Sequence, residues 1–272
     1  GTIKYLFKMV DGNLIEAVLM RHDYGNSVCI SSQVGCNMGC HFCESGRRKK
    51  VRNLDASEMI LQILQVESHI KERISHVVIM GIGEPFDNYD NIVKFIEIIN
   101  HPKGMALGSR HITVSTCGII PKIEEFSNLP FQVNLAISLH APNNDIRNKL
   151  MPINKAYPLE KLIPAIKDYI KKTNRRVTFE YIMLDGINDT EECANELCTL
   201  LRGMNCYINL IPYNETNNLG YKRSKKVNIS KFYDIIKNRG INVTIRREFG
   251  SKISAACGQL RSKKEELWNR FI

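Results

Sequence analysis

No apolar run in the 272 residues approaches the ~20 needed to cross a bilayer, so a membrane-spanning helix is not expected. The first residues, Gly1-Thr2-Ile3-Lys4-Tyr5-Leu6-Phe7, lack the basic segment, apolar segment and cleavage site that make up a secretory leader in that order. A cytoplasmic protein is therefore expected. Repeats and low-complexity tracts are absent, and no Pro/Gly/Ser-rich linker divides the chain, so the length reads as one domain with room for a sizeable core. Acidic residues are in short supply, 28 against 38 Lys and Arg, and the formal charge of +10 favours a polyanionic partner such as RNA. What the chain does have is cysteine. Nine are present, in a chain that is neither small nor visibly secreted, which points away from a disulfide framework and toward metal or thiol chemistry.

Short β-branched and apolar runs lie at Ser27 to Ser32, His76 to Met80, His111 to Ser115, Gln132 to Ser138, Arg176 to Met183, Cys206 to Ile211 and Ile241 to Ile245. Segments with apolar spacings of three and four alternate with them, at Ala56 to Ile70, Tyr89 to Ile99, Leu159 to Lys172, Thr190 to Leu201 and Ser230 to Asn238. This alternation predicts an α/β fold, a mainly parallel sheet with outer helices closed into a barrel or partial barrel. Chemistry in such folds gathers at the C-terminal ends of the strands, and the polar motifs of this chain fall there.

Cys36, Cys40 and Cys43 form a C-x3-C-x2-C triplet, three soft thiolates on one short loop. Structural zinc asks for four ligands, and the nearest further candidate, His41, lies inside the triplet. Three ligands suit a four-iron cluster with one iron open to a cofactor, and this spacing with Phe42 before the last cysteine is the signature of the radical S-adenosylmethionine (SAM) superfamily. The turn Gly81-Ile-Gly-Glu84 after the second strand lets backbone approach a ligand closely, and Glu84 can receive an amino group.

Seven further stretches occur in order: Cys29-Ile-Ser-Ser-Gln-Val-Gly-Cys36, Met80-Gly-Ile-Gly-Glu-Pro85, Thr113-Val-Ser-Thr-Cys-Gly118, Ala136-Ile-Ser-Leu-His-Ala-Pro142, Met151-Pro-Ile-Asn154, Asn209-Leu-Ile-Pro-Tyr-Asn214 and Ala255-Ala-Cys-Gly-Gln-Leu260. Together they resemble the RlmN/Cfr family of radical SAM RNA methyltransferases, on the RlmN side. The resemblance implies methylation at C2 of adenosine in 23S rRNA and tRNA, with a [4Fe-4S] cluster on Cys36, Cys40 and Cys43 and two SAM molecules per turnover. In that scheme Cys257 carries the methyl group as S-methylcysteine. A 5′-deoxyadenosyl radical then abstracts hydrogen from this methyl, and the carbon radical adds to the electron-poor adenine carbon. Cys29 is the thiol that resolves the protein–RNA crosslink through a disulfide with its partner, and Glu16 accepts the C2 proton. Gly83, Glu84, Ser115, Ser138, Leu139, His140 and Asn214 correspond to the residues that hold SAM.

The same resemblance implies an electron donor such as flavodoxin or ferredoxin and a monomer. It divides the chain into a strand extension over about 1–26, a core over 27–262 and a C-terminal helix over 263–272, without the small N-terminal RNA-holding domain of family members. The basic run Arg47-Arg-Lys-Lys50, with Arg52, stands beside the triplet where RNA phosphates would pass, and base chemistry would require a flipped nucleotide. Arg175-Arg176 and Arg246-Arg247 add charge elsewhere. Three other readings stay open: a Cfr-like C8 methyltransferase, a non-catalytic RNA-binding protein with structural zinc, and a cluster protein that only transfers electrons. Pro85 and Ala141-Pro142 favour the RlmN side over Cfr.

Overall fold

A computed structural model of the chain describes residues 1–216, 219–246 and 259–260, and resolves them into two compact units. Among the described residues, one comprises 1–37, 44–113 and 259–260, and the other comprises 38–43, 114–216 and 219–246.

The first unit opens with two strands, β1 (Thr2–Lys8) and β2 (Leu14–His22), which form an antiparallel pair. β3 (Gly25–Ile30) runs antiparallel to β2, and the short ribbon β4 (Gln33–Val34) and β5 (Arg52–Asn53) follows it. Helix α1 (Ala56–Ile70) crosses over to β6 (Ile74–Ile79), which lies parallel to β3, giving the order β1-β2-β3-β6. α1 starts where it does because the Glu58 carboxylate accepts the Asp55 N–H at 2.9 Å, three residues back. It ends at Lys71, which takes the left-handed conformation. Met59, Ile63 and Val66 form its buried stripe, and α2 (Tyr89–Asn100) buries Ile92, Phe95, Ile96 and Ile99 in the same way. Each such side chain contributes about 1.5–3 kcal/mol when removed from water.

The chain passes into the second unit within β7 (Ile112–Thr116) and continues through α3 (Ile120–Phe126), β8 (Asn134–Ser138), α4 (Asn144–Leu150) and α5 (Leu159–Thr173). Then follow β9 (Val177–Met183), α6 (Glu191–Leu200), β10 (Cys206–Pro212), α7 (Lys226–Asn238) and β11 (Asn242–Ile245). Strands β8-β9-β10-β11 are neighbours in that order and all parallel. Two helices here, α3 and α4, were not expected from periodicity, and α7 begins four residues before the expected Ser230. Capping is local: Asn143 Oδ1 accepts the Ile146 N–H at 3.0 Å to start α4, and Thr190 Oγ1 accepts that of Cys193 at 3.2 Å to start α6. The expected C-terminal helix over 263–272 lies outside the described residues, and among those described no helix is long and apolar enough to cross a membrane.

Candidate active site

In the first unit, register sets Glu16 and Cys29 on one sheet face. Val18 opposes Cys29 and Cys29 opposes Val78, so Glu16, two residues before Val18, shares the face of Cys29. Cys29 is buried there in an apolar cluster with Val18, Met20, Ile82 and Leu260, and Val78 and Met80 pack against it. Glu16 is also buried, and the Lys4 ammonium holds its carboxylate at 2.6 Å. Cys257, the expected methyl carrier, lies outside the described residues.

Past β3 the chain is pinned from several directions. Ser31 Oγ donates to the Glu16 carbonyl at 2.6 Å and accepts the Ile82 N–H at 2.9 Å, while the Gln62 side chain exchanges hydrogen bonds with both backbone groups of Ser31. The turn at Gly81 and Gly83 lies so close beneath this segment that side chains are excluded. A Cβ on Gly81 would stand 2.6 Å from the Ile30 carbonyl, and one on Gly83, whose φ is +110°, would stand 2.6 Å from Gln33 Cβ. Gln33 accepts the Glu84 N–H at 2.8 Å, and Glu84 Oε1 in turn accepts the Phe86 N–H at 3.0 Å, so the buried carboxylate is held in a fixed orientation. Cys36 N–H donates to the Arg48 carbonyl at 2.9 Å, which ties the first cysteine of the triplet to the basic run.

In the second unit, Cys40 and Cys43 bracket a tight turn in which the Cys43 N–H reaches the Cys40 carbonyl at 3.1 Å. The His41 N–H donates to the Leu150 carbonyl at the end of α4, at 2.9 Å. Phe42 fills an apolar cluster with Cys117, Leu150, Met151, Leu184 and Tyr213, and its ring meets that of His140 edge-on at 4.8 Å. The His41 side chain itself is exposed.

His140, two residues past the end of β8, takes a left-handed φ of +59°. Its N–H and that of Leu139 both reach the Glu180 carbonyl, at 3.2 and 3.1 Å, and Nδ1 accepts the Ile182 N–H at 3.0 Å. The neutral ring therefore carries its proton on Nε2. Burial, and secondarily the nearby Arg147 cation, push its pKa down to about 3. Ser138, Glu180 and Asn209 stand side by side on β8, β9 and β10, and Asn209 donates to Glu180 at 2.9 Å. Burial raises the Glu180 pKa, against the pull of Arg246 and Asn209. Asn214, just past β10, is buried, and its Oδ1 has no hydrogen-bond partner among the described residues. Ser115 is half-buried on β7.

The donor set fits an iron–sulfur cluster. Three cysteines, Cys36, Cys40 and Cys43, stand within eight residues of one segment. Among the described residues no three His, Cys, Asp or Glu side chains are grouped to share one metal ion. A cluster does not require that grouping, since each thiolate takes a different iron, whereas zinc requires four ligands to converge at about 2.0–2.3 Å. Sequence reasoning missed Arg147 and Glu180, both buried. Their only signal was a charge interrupting otherwise apolar stretches, Ile146-Arg147 and Phe179-Glu180-Tyr181.

Residues 30–197 match the radical SAM superfamily. A crystal structure of a radical SAM methyltransferase from Sphaerobacter thermophilus superposes with a TM-score of 0.93 at 46% identity, over 96% of this chain and 77% of that one. The chain is a radical SAM enzyme with the α/β fold expected from its sequence, and its cofactors are a [4Fe-4S] cluster and SAM.

Proteins described as probable dual-specificity RNA methyltransferase RlmN give the finer placement. The one from Spiroplasma citri is 58% identical over 97% of this chain and 77% of its own length, and the one from Enterococcus faecalis is 56% identical over 99% and 79%. The chain belongs to the RlmN family of radical SAM RNA methyltransferases.

Proposed function

We propose that the chain methylates C2 of adenosine in 23S rRNA and in tRNA, with both compact units acting as one catalytic domain. The observation that carries this reading is the shared sheet face of Glu16 and Cys29, which gives one buried surface both a carboxylate and a thiol. Adding carbon at an aromatic C–H position needs a base to take the ring proton and, where the carbon arrives on sulfur, a second thiol to free the product.

Cys36, Cys40 and Cys43 would hold the cluster, and Gly83, Glu84, Ser115, Ser138, Leu139, His140 and Asn214 would hold SAM. When bound, these groups supply the methyl group and the radical chemistry that moves it. The protein's own residues do the rest. Cys257 takes the methyl group by displacement, a reaction suited to a thiolate. Glu16, anchored by Lys4, receives the C2 proton, and the Cys29 thiolate attacks the Cys257 sulfur, so that an S–S bond forms as the sulfur–carbon bond to the RNA breaks, its electron pair leaving on that carbon, which then takes up a proton. Leu260 packs in the Cys29 cluster, and Ser45 Oγ donates to its carbonyl at 2.8 Å. Asn214 Oδ1 would offer SAM an acceptor that has no partner among the described residues.

The basic run divides by its ion pairs. Arg47 faces Glu44 at 3.5 Å, Lys50 faces Asp87 at 2.6 Å, and Arg52 pairs with Asp11 and, at 2.7 Å, with Glu58. Arg48 and Lys49 are exposed and make no ion pair among the described residues, so these two are assigned to RNA phosphates.

The test is anaerobic reconstitution with iron and sulfide, followed by reaction with SAM, a short RNA and dithionite as electron donor, and mass spectrometry of the nucleosides. 2-Methyladenosine is expected from the wild type and none from Cys257→Ala. 8-Methyladenosine as sole product would overturn the site of methylation, and methylation surviving Cys257→Ala would overturn the assigned carrier.

A further inference from the structure

Arg147 is 0% exposed, and no carboxylate meets it among the described residues. An arginine cannot shed its charge at neutral pH, and burying that charge without an anion is costly. This one is satisfied instead by backbone and amide oxygens. Its Nε donates to the Leu139 carbonyl at 3.1 Å, NH2 to the carbonyls of Cys117 at 2.7 Å and Ser138 at 3.2 Å, and NH1 to Asn154 Oδ1 at 2.7 Å and the Tyr157 carbonyl at 3.4 Å. The three carbonyls at Cys117, Ser138 and Leu139 lie where β7 and β8 end. The helix that carries Arg147 also carries the Leu150 carbonyl that receives the His41 N–H, and its Ile146 and Leu150 share the apolar cluster of Cys40, Phe42 and Cys43.

We infer that Arg147 is a positioning residue: its guanidinium fixes the ends of β7 and β8 against α4, and through α4 fixes the register of those ends with the Cys40–Cys43 turn. The inference rests on the reading above, in which that turn holds cluster iron and Ser138, Leu139 and His140 hold SAM. A register set this way would orient the residues that hold SAM relative to those that hold the cluster, and orientation of this kind contributes strongly to rate. A planar fork with five donors can reach all these acceptors at once, whereas a lysine ammonium offers three donors from one point. Asn154 in turn orients the fork: its Nδ2 donates to Asn144 and Asn148, both at 2.9 Å, leaving Oδ1 turned toward Arg147.

Arg147→Lys and Asn154→Ala test this in the reconstituted full chain, with iron content, the SAM dissociation constant and the change in the reduced cluster's electron paramagnetic resonance spectrum on adding SAM as readouts. Arg147→Lys is expected to load wild-type iron, bind SAM at least tenfold more weakly and lose most of the SAM-induced spectral change. Asn154→Ala, which keeps the charge and removes one anchor, is expected to show the same two losses to a smaller degree. A merely structural role would lower the melting temperature and iron content together and leave SAM affinity per loaded cluster unchanged, and that result overturns the inference. If Arg147→Lys does not fold, Asn154→Ala decides alone: wild-type SAM affinity and spectrum in that variant refute the positioning role. A wild type that takes up no cluster or binds no SAM would instead refute the underlying reading.

Discussion

Arg52 in the first unit and Arg147 in the second both have their guanidinium donors occupied, but by partners of different kinds. Arg52 is partly exposed and meets two carboxylates, Asp11 and Glu58, whose hydrogen bonds drive its own pKa up and theirs down. Arg147 is buried, meets carbonyls and one amide, and burial pushes its pKa down to about 10, which still leaves it charged at neutral pH. The first is an ion pair that trades water for charge at the surface and can be loosened by salt. The second is a junction that trades water for backbone, and salt does not reach it. The difference teaches how each cation is held: by carboxylates beside the basic run expected to meet RNA, and by backbone at the strand ends expected to hold cofactor.

Removing the buried fork should give the largest effect. Arg147→Met leaves the strand-end carbonyls without donors and is expected to destabilise the second unit by about 3–5 kcal/mol, read as a fall in the urea midpoint. A loss under about 1 kcal/mol would place Arg147 with ordinary surface cations.

Acid should act next, through the neighbour of that fork. The folded pKa of His140, about 3, lies below the ordinary 6.5, so between those values the unfolded chain binds the extra proton. Stability from this group is full above pH 6.5 and falls as pH drops toward 3, at up to about 1.4 kcal/mol per pH unit. Urea midpoints at pH 7.5 and pH 5 check the sign, and a midpoint that rose on acidification would contradict a neutral His140.

Breaking the surface pair should cost least. Arg52→Ala removes the Glu58 contact, with an expected loss of about 0.5–1 kcal/mol that shrinks in concentrated salt. An undiminished loss in salt would show the two arginines to be alike after all.

How much of this could be read from the sequence follows from the range over which each feature is specified. Helix α1 was legible to the residue because its start, its stripe and its end are set within a few positions of chain, by Glu58, by Met59, Ile63 and Val66, and by Lys71. α3 and α4 were not, because seven residues make two turns and give periodicity too little length. The triplet, the Gly81–Glu84 turn and the strand-end polar residues were legible for the same local reason. Arg147 was not, since its acceptors at Cys117 and Tyr157 come from opposite sides of it in the chain and meet it only after folding. Glu180 reads in sequence as one charge within an apolar strand, and only register sets it beside Ser138 and Asn209.

His140 carries one more consequence. A ring with Nδ1 committed to the Ile182 N–H and its proton confined to Nε2 does not exchange between tautomers, so its two nitrogens keep distinct chemical shifts. Because the ring also borders Phe42, between two cysteines of the triplet, isotope-labelled histidine makes position 140 a built-in probe whose resonances register changes at the Cys40–Cys43 turn without any added label.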